Sequence, residues 1–351
     1  MAYYFLLADL SCGGSERVSV SLARILQHRG ADVRFVCLSG GDGELRQWIE
    51  PDFQLDMLGA RRAITSIPAL KRYMRRQSGA VMFSTREHVT IAALTVGRSL
   101  GIPVVVRLPN MPSNQLYRGL TGLKWRIIRG VNKHLLPSAK VIIAQTEDMR
   151  QDALRCYRLP DDKVVTLCNP LDSHFVKKSA EGQPDPFDRP GTRFLAVCNV
   201  HYSKGVDVLL KAFAIVRQSM TDATLTIVGR TDTPYAESLV AGAEDKEHVR
   251  FAGFQGNPYP FMRHCDVFVL SSRMEGFPNV LLEAMCFDKP VAATRCVPVV
   301  DQIVRQGVNG YTCPTDDPEA LAASMAQAAT LSGIHNTYDL FDEERFVALF
   351  A

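Results

Sequence analysis

Residues 271 to 286 read Ser-Ser-Arg-Met-Glu-Gly-Phe-Pro-Asn-Val-Leu-Leu-Glu-Ala-Met-Cys. They follow a four-residue apolar run, Val267-Phe268-Val269-Leu270, which suits a buried strand. Two serines and a polar turn end that run, and Pro278 stands where a helix can begin, because a first helical position has no use for an N–H. The pattern is strand, turn, helix. Glu275 falls in the turn, and Glu283 lies about five residues, or ~7.5 Å, into the helix at ~1.5 Å per residue. Two carboxylates so spaced reach separate parts of one extended ligand. Between them the N–H groups of Gly276, Phe277 and Asn279 crowd a helix start, whose partial positive charge suits a phosphate. The plainer alternative is a helix with Glu283 on a solvated face and Glu275 as an ordinary loop carboxylate.

Outward from this stretch the same alternation repeats. Strands are expected over 194–199, 224–228, 249–251, 267–270 and 291–293, with a helix over 206–218. After the first of these comes His201-Tyr202-Ser203-Lys204-Gly205, a turn whose lysine can neutralise a diphosphate. The other half of the chain alternates in the same way, with strands over 3–8, 33–38, 81–84, 104–106 and 141–144, and the segment 164–172 ends a further strand in a turn. Its first turn, Asp9-Leu10-Ser11-Cys12-Gly13-Gly14, leads into a helix with Leu22, Ile25 and Leu26 on one side and Ser15 as its N-cap. Gly13-Gly14 is not the spaced triple-glycine fingerprint of a dinucleotide site; it either lets backbone approach a bulky or charged ligand closely or forms a plain tight turn. Strands alternating with helices imply parallel, doubly wound sheets, which bind ligands beyond the carboxyl ends of their strands.

The chain has 351 residues, more than one hydrophobic core usually serves, so two domains are expected. Residues 173–192, rich in Lys, Pro, Asp and Gly, read as the linker, and 340–351 as a closing helix. The divisions are 1–172, 173–335 and a C-terminal helix within 336–351 that packs back toward the first domain. Residues 1–172 hold 24 Lys and Arg against 15 Asp and Glu, and 173–351 hold 16 against 22, so the net +3 conceals +9 and −6. A basic half on an acidic half argues against a nucleic-acid binder and for one half facing an anionic surface or substrate. Over 116–135, Leu116, Leu120, Leu123, Ile127 and Val131 share one helical face, while Arg118, Lys124, Arg126, Arg129 and Lys133 supply a basic one with Trp125 at its edge. Such a helix rests on anionic lipid headgroups or packs as an ordinary surface helix. No apolar run has the length of a membrane span, the first residues lack a signal peptide's basic start, and the nine cysteines have neither paired nor metal-ligand spacing. A cytoplasmic protein with reduced thiols, peripheral on the inner face of the membrane, is expected.

Several stretches together resemble the retaining glycosyltransferases of family 4: Gly13-Gly14-Ser15-Glu16-Arg17, Asn169-Pro170-Leu171-Asp172, Lys204-Gly205, Ile227-Val228-Gly229, the run from Val249 to Phe254, Asn257-Pro258-Tyr259, and the run from Glu275 to Met285. The resemblance covers nearly the whole chain, and the E-x7-E spacing is its specific part. It implies the GT-B fold, an α/β architecture of two Rossmann-like doubly wound domains facing a cleft. Glu275 and Lys204 become the catalytic pair, with Glu275 on the donor sugar's hydroxyls, Glu283 on the ribose and Lys204 on the diphosphate. The donor set also takes in Gly13, Gly14, Asn199, Gly205, Gly229, Arg230, Phe254, Gly276, Phe277, Pro278 and Asn279. Ser15, Arg107 and the basic face fall on the acceptor or membrane side.

The implied function is transfer of a hexose or N-acetylhexosamine from a nucleotide diphosphate sugar, in particular a uridine diphosphate sugar, to a lipid-linked or cell-surface saccharide, with no metal or other cofactor. Three features depart from the pattern, one of them the loop after Ala293, where glycine and a glutamate are common and the chain reads Val297-Pro298-Val299-Val300-Asp301-Gln302. Asn199 stands where an arginine is usual, and no histidine follows the strand over 104–106, where the chain reads Val106-Arg107-Leu108-Pro109-Asn110. His88, the nearest histidine in sequence, is expected to be structural. A sugar-nucleotide epimerase or hydrolase on the same fold, or a non-catalytic partner subunit, are the alternatives.

Overall fold

The computed structural model describes residues 1–61, 64–113, 123–243 and 245–350. The chain divides into unit 1, Met1–Pro170 with Leu340–Ala351, and unit 2, Leu171–Asp339.

Unit 1 carries seven parallel strands: β1 Ala2–Leu7, β2 Asp32–Ser39, β3 Gln54–Ala60, β4 Ala80–Ser84, β5 Val104–Arg107, β6 Val141–Ala144 and β7 Val164–Thr166. Their order is β3-β2-β1-β4-β5-β6-β7, so the sheet grows in one direction from β1 and then in the other from β4. The central strands are nearly unbroken apolar runs because helices cover both faces of a parallel sheet. Phe5 packs between Phe35 and Phe83, with ring centroids 5.5 Å and 4.5 Å away. The helix Glu343–Ala348 belongs to this unit. Phe350 just beyond it meets Tyr3 at 5.1 Å, and Arg29 pairs with Glu343 and Glu344.

Unit 2 carries six parallel strands: β8 Arg193–Val197, β9 Thr224–Val228, β10 Val249–Gly253, β11 Val267–Leu270, β12 Val291–Thr294 and β13 Gly310–Cys313. The order β10-β9-β8-β11-β12-β13 repeats the scheme of unit 1. The switch of direction falls between β8 and β11, the strands that precede Lys204 and Glu275. Buried Phe194, Phe213, Leu225, Val267 and Val269 are among the residues that fill the core.

The sequence pattern is corrected at four places. The apolar pattern does not predict the strands β3 and β13; each closes a sheet edge, β3 interrupts its apolar residues with Asp56 and Gly59, and β13 is the short Gly-Tyr-Thr-Cys. Ser15 is not the N-cap: Gly13 occupies that position, and Ser15 is already helical in Gly14–His28. The expected linker begins with a helix, Ser173–Ala180, which Asp172 caps by accepting from the Phe175 amide at 3.0 Å. The basic helix is described as Leu123–Leu135. Leu116, Arg118, Leu120 and the side chains of Leu123, Lys124 and Trp125 lie outside the described residues. Ile127, assigned to its apolar face, is exposed, whereas polar Asn132 is buried.

Candidate active site

The site in unit 2 is built from turns at the carboxyl ends of β8 and β11. Gly205 lets the first turn sit on the second: its φ is 60°, and a Cβ there would lie 2.1 Å from the Ser271 carbonyl oxygen. The two turns are then bonded together. Ser271 Oγ donates to the Lys204 carbonyl at 2.8 Å, and the Arg273 amide donates to the Ser203 carbonyl at 2.8 Å. From β12, Thr294 Oγ1 donates to the carbonyl of Ser272 at 2.5 Å.

On this support Lys204 Nζ meets Glu275 Oε1 at 2.6 Å, and Ser272 Oγ donates to the same oxygen at 2.6 Å. Burial acts to lower the Lys204 pKa, but the charge and hydrogen bond of Glu275 outweigh it and hold the ammonium above its ordinary range. Lys204 is therefore charged at neutral pH. Cys198 and Cys296 flank the pair; burial pushes their thiols up to about 11 and about 12, so both are neutral. His201 is pushed below 6.5 by burial and by the Lys204 charge, and its Nδ1 lies 3.0 Å from Ser203 Oγ.

The short helix Asn279–Met285 places Glu283 at its fifth position, as the spacing predicts, and the side chain is buried. The helix start differs from expectation in one respect. The Asn279 amide is taken by the Phe277 carbonyl at 3.0 Å, so of the three predicted amides only those of Gly276 and Phe277 donate to no oxygen among the described residues. Phe277 is itself buried, and Pro278 is the N-cap residue.

The neighbouring strand ends continue the edge. Gly229 has φ 151°, and a Cβ there would come within 1.9 Å of the Cys198 carbonyl, so only glycine lets β9 close on β8. Asn199 Oδ1 then accepts from the Arg230 amide at 3.1 Å, and the Arg230 guanidinium lies 4.1 Å over the Phe254 ring after β10. Asn199 thus contributes an oxygen to backbone, not a cation.

Unit 1 has its own switch point, between β1 and β4. Gly13 caps the helix that holds Ser15 and Glu16. Ser15 Oγ lies 3.2 Å from Thr85 Oγ1, and buried Glu16 accepts from Arg86 Nε at 2.5 Å. Arg107, only 3% exposed, donates to Asn169 Oδ1 at 2.6 Å and to Thr85 Oγ1 at 3.3 Å. Burial pushes its guanidinium down to about 10, with the Glu16 charge opposing. Arg126 and Lys133 are exposed, whereas Arg129 is half-buried and donates to the Cys156 carbonyl at 3.2 Å. Exposed His88 is the second residue of the helix Glu87–Leu100. Sequence reasoning passed over Ser272, Asp207 and Arg273; Asp207 and Arg273 are joined across 66 residues, a separation that no local pattern encodes.

Similarity to known proteins bears on the family and the fold. The glycosyltransferase family 4 domain matches residues 12–175, and the domain of glycosyl transferases group 1 matches residues 191–330. A glycosyltransferase of Haemophilus influenzae is 23% identical over 92% of this chain and 88% of its own length. The N-acetylgalactosamine-N,N'-diacetylbacillosaminyl-diphospho-undecaprenol 4-alpha-N-acetylgalactosaminyltransferase of Campylobacter jejuni is 28% identical over 47% of this chain and 45% of its own. In structure, Anabaena HepE, solved in complex with UDP and glucose, superposes with a TM-score of 0.78 at 16% identity, covering 99% of this chain and 97% of that one. Sucrose-phosphate synthase of Thermosynechococcus elongatus gives 0.72 at 16% identity, covering 99% and 94%. Two Rossmann-like parallel sheets, one matched by each family domain, identify the chain as a glycosyltransferase of the GT-B fold that is similar to the family 4 enzymes.

Proposed function

We propose that the chain is a retaining transferase that moves a hexose or N-acetylhexosamine from a uridine diphosphate sugar to a lipid-linked saccharide. The observation that carries this reading is the Lys204–Glu275 contact of 2.6 Å at the β8/β11 switch point, with Glu283 on the helix that follows. A cation, a carboxylate and a second carboxylate in that order suit the diphosphate, the sugar and the ribose of one donor. The UDP and glucose bound by Anabaena HepE support the donor class, and the diphospho-undecaprenol named for the Campylobacter relative supports the acceptor class.

In this reading the bond from the anomeric carbon to the diphosphate oxygen breaks, and its electron pair stays on the leaving diphosphate. Lys204 and the Gly276 and Phe277 amides face the growing charge, and their fixed orientation favours the transition state over the bound donor. The acceptor oxygen bonds to the anomeric carbon on the face the diphosphate leaves, and a departing phosphate oxygen takes its proton. We assign the positive charge to these side-chain and backbone groups, without a metal. The acceptor is read onto unit 1, where Ser15 is part of the polar edge and Arg107 holds Thr85 and Asn169 from beneath.

Incubation with a panel of sugar nucleotides and diphosphate-linked acceptors, with the new linkage read by NMR, tests the proposal. It expects acceptor-dependent release of UDP and a product with the donor's anomeric configuration. Inverted product removes the retaining mechanism, and release of UDP or altered sugar without acceptor favours a hydrolase or epimerase.

A peripheral membrane location belongs to the same reading. Among the described residues no helix is long and apolar enough to cross a membrane. Exposed Ile127 beside Arg126 and Lys133 on one helix suits the headgroup layer of an anionic bilayer. Sedimentation with anionic vesicles is expected to weaken with salt and in Arg126→Glu/Lys133→Glu, and equal binding to neutral vesicles contradicts the electrostatic part.

A further inference from the structure

One guanidinium fastens the turn that holds Glu275 to the turn that holds Lys204. Arg273 donates from Nη1 and Nη2 to the two carboxylate oxygens of Asp207, each at 2.7 Å. Its Nη1 also donates to the Tyr202 carbonyl at 2.7 Å, and its Nε to Asp316 Oδ1 at 2.5 Å. The Tyr202 ring lies 4.1 Å from the guanidinium carbon, and the Tyr235 hydroxyl donates to Asp207 Oδ1 at 2.8 Å. The Arg273 side chain is 9% exposed and Asp207 28%. Residues 202–207 and 271–275 are therefore joined by the Arg273 amide on the Ser203 carbonyl, by Ser271 Oγ on the Lys204 carbonyl and by the Lys204–Glu275 pair, and this fork adds a further tie. A planar fork that grips both oxygens of a carboxylate fixes an angle as well as a distance, which an ammonium cannot do.

We propose that Arg273, held by Asp207, is a positioning residue for sugar transfer: it sets the Lys204 turn against the Glu275 turn so that both side chains address one donor. Neither Arg273 nor Asp207 touches the donor in this account. The inference rests on the donor reading above. A wholly structural role predicts less folded protein with unchanged kinetics per folded molecule; a positioning role predicts folded protein that binds and turns over the donor poorly.

The test is calorimetric titration of the full chain with UDP, together with steady-state kinetics, for Arg273→Met, Arg273→Lys, Asp207→Asn and the double variant Asp207→Asn/Arg273→Met. We expect a kcat lower by about 10- to 100-fold in Arg273→Met, as for sites misplaced by ~1 Å. UDP affinity falls with it, while binding stoichiometry and acceptor KM stay at wild-type values. Arg273→Lys recovers little, and the double variant is no worse than Arg273→Met, because the two residues act as one unit. Should Arg273→Met fail to fold, Asp207→Asn, nearly unchanged in shape, carries the same comparison. Arg273→Met and Asp207→Asn with wild-type UDP affinity and kcat overturn the positioning role and leave the donor reading standing. Losses that add in the double variant also overturn it. A wild-type chain that does not bind UDP removes the donor reading, and the positioning role with it.

Discussion

The two units share one strand order and differ in what they place where that order reverses. At the β8/β11 switch point of unit 2, Lys204 meets Glu275 and the turns beneath them are bonded to each other. At the β1/β4 switch point of unit 1 the charges are closed differently: Glu16 is taken up by Arg86, and buried Arg107 spends its N–H groups on the neutral oxygens of Asn169 and Thr85. The same topology thus yields one edge whose cation and carboxylate suit a polar ligand, and another whose cations are committed to holding loops and the end of the sheet. Fold alone assigns neither role; the side chains at the reversal do.

Three substitutions probe that difference. Asn169→Ala removes the oxygen that accepts two N–H bonds from a buried guanidinium, so unit 1 is expected to lose ~2–3 kcal/mol of stability in denaturant unfolding while unit 2 still binds UDP. A loss of UDP binding in parallel with stability breaks the division of roles. The matched pair Gly205→Ala and Gly13→Ala comes next. Gly205 combines a φ of 60° with the Ser271 carbonyl 2.1 Å from a Cβ, so alanine is expected to cost more than ~1 kcal/mol and to weaken UDP binding by parting the two turns. Gly13 has an ordinary φ of −126°, and a Cβ there meets no backbone, only the carboxylate end of the Glu16 side chain, so its substitution is milder in thermal unfolding. Equal costs at the two glycines contradict the contrast.

The smallest effect is a titration. His201 lies below 6.5 because of burial and the neighbouring Lys204 charge. It is neutral in folded and unfolded chains above pH 6.5, and its contribution to stability is whole there. As the pH falls below 6.5 the unfolded chain binds the proton first, and the contribution is lost through the folded value. NMR of the imidazole is expected to show this low midpoint and to show it rising in Lys204→Met; a midpoint unmoved by that change leaves the ammonium too far away to act.

Much of this arrangement is legible in the residues. The run 267–286 gives strand, turn and helix because its apolar period changes at two serines and a proline, and Glu283 lands at the fifth helical position that its spacing requires. Lys204-Gly205 is legible for a similar reason, as a turn after an apolar strand. Less legible are features that depend on the third dimension. The edge strands β3 and β13 carry mixed polarity because an edge is covered less than a centre. Ser15 has a capping side chain, yet Gly13 starts the helix and the serine turns to Thr85 across 70 residues. Arg107, read as an acceptor-side cation, is withdrawn from solvent by partners that only the folded sheet brings near. The Arg273–Asp207 fork is of the same kind: two ordinary charged residues become a fastening only when β8 and β11 lie side by side.

In the proposed reaction the ammonium of Lys204, poised beside Glu275, neutralises the diphosphate of a sugar donor. The most direct test is the rate of sugar transfer by Lys204→Met with a donor that the wild type uses. The account predicts a fall of ~100- to 1,000-fold, the scale for loss of one fixed group that stabilises transition-state charge, with the unfolding midpoint near that of wild type. Transfer at the wild-type rate by a fully folded Lys204→Met chain would contradict it.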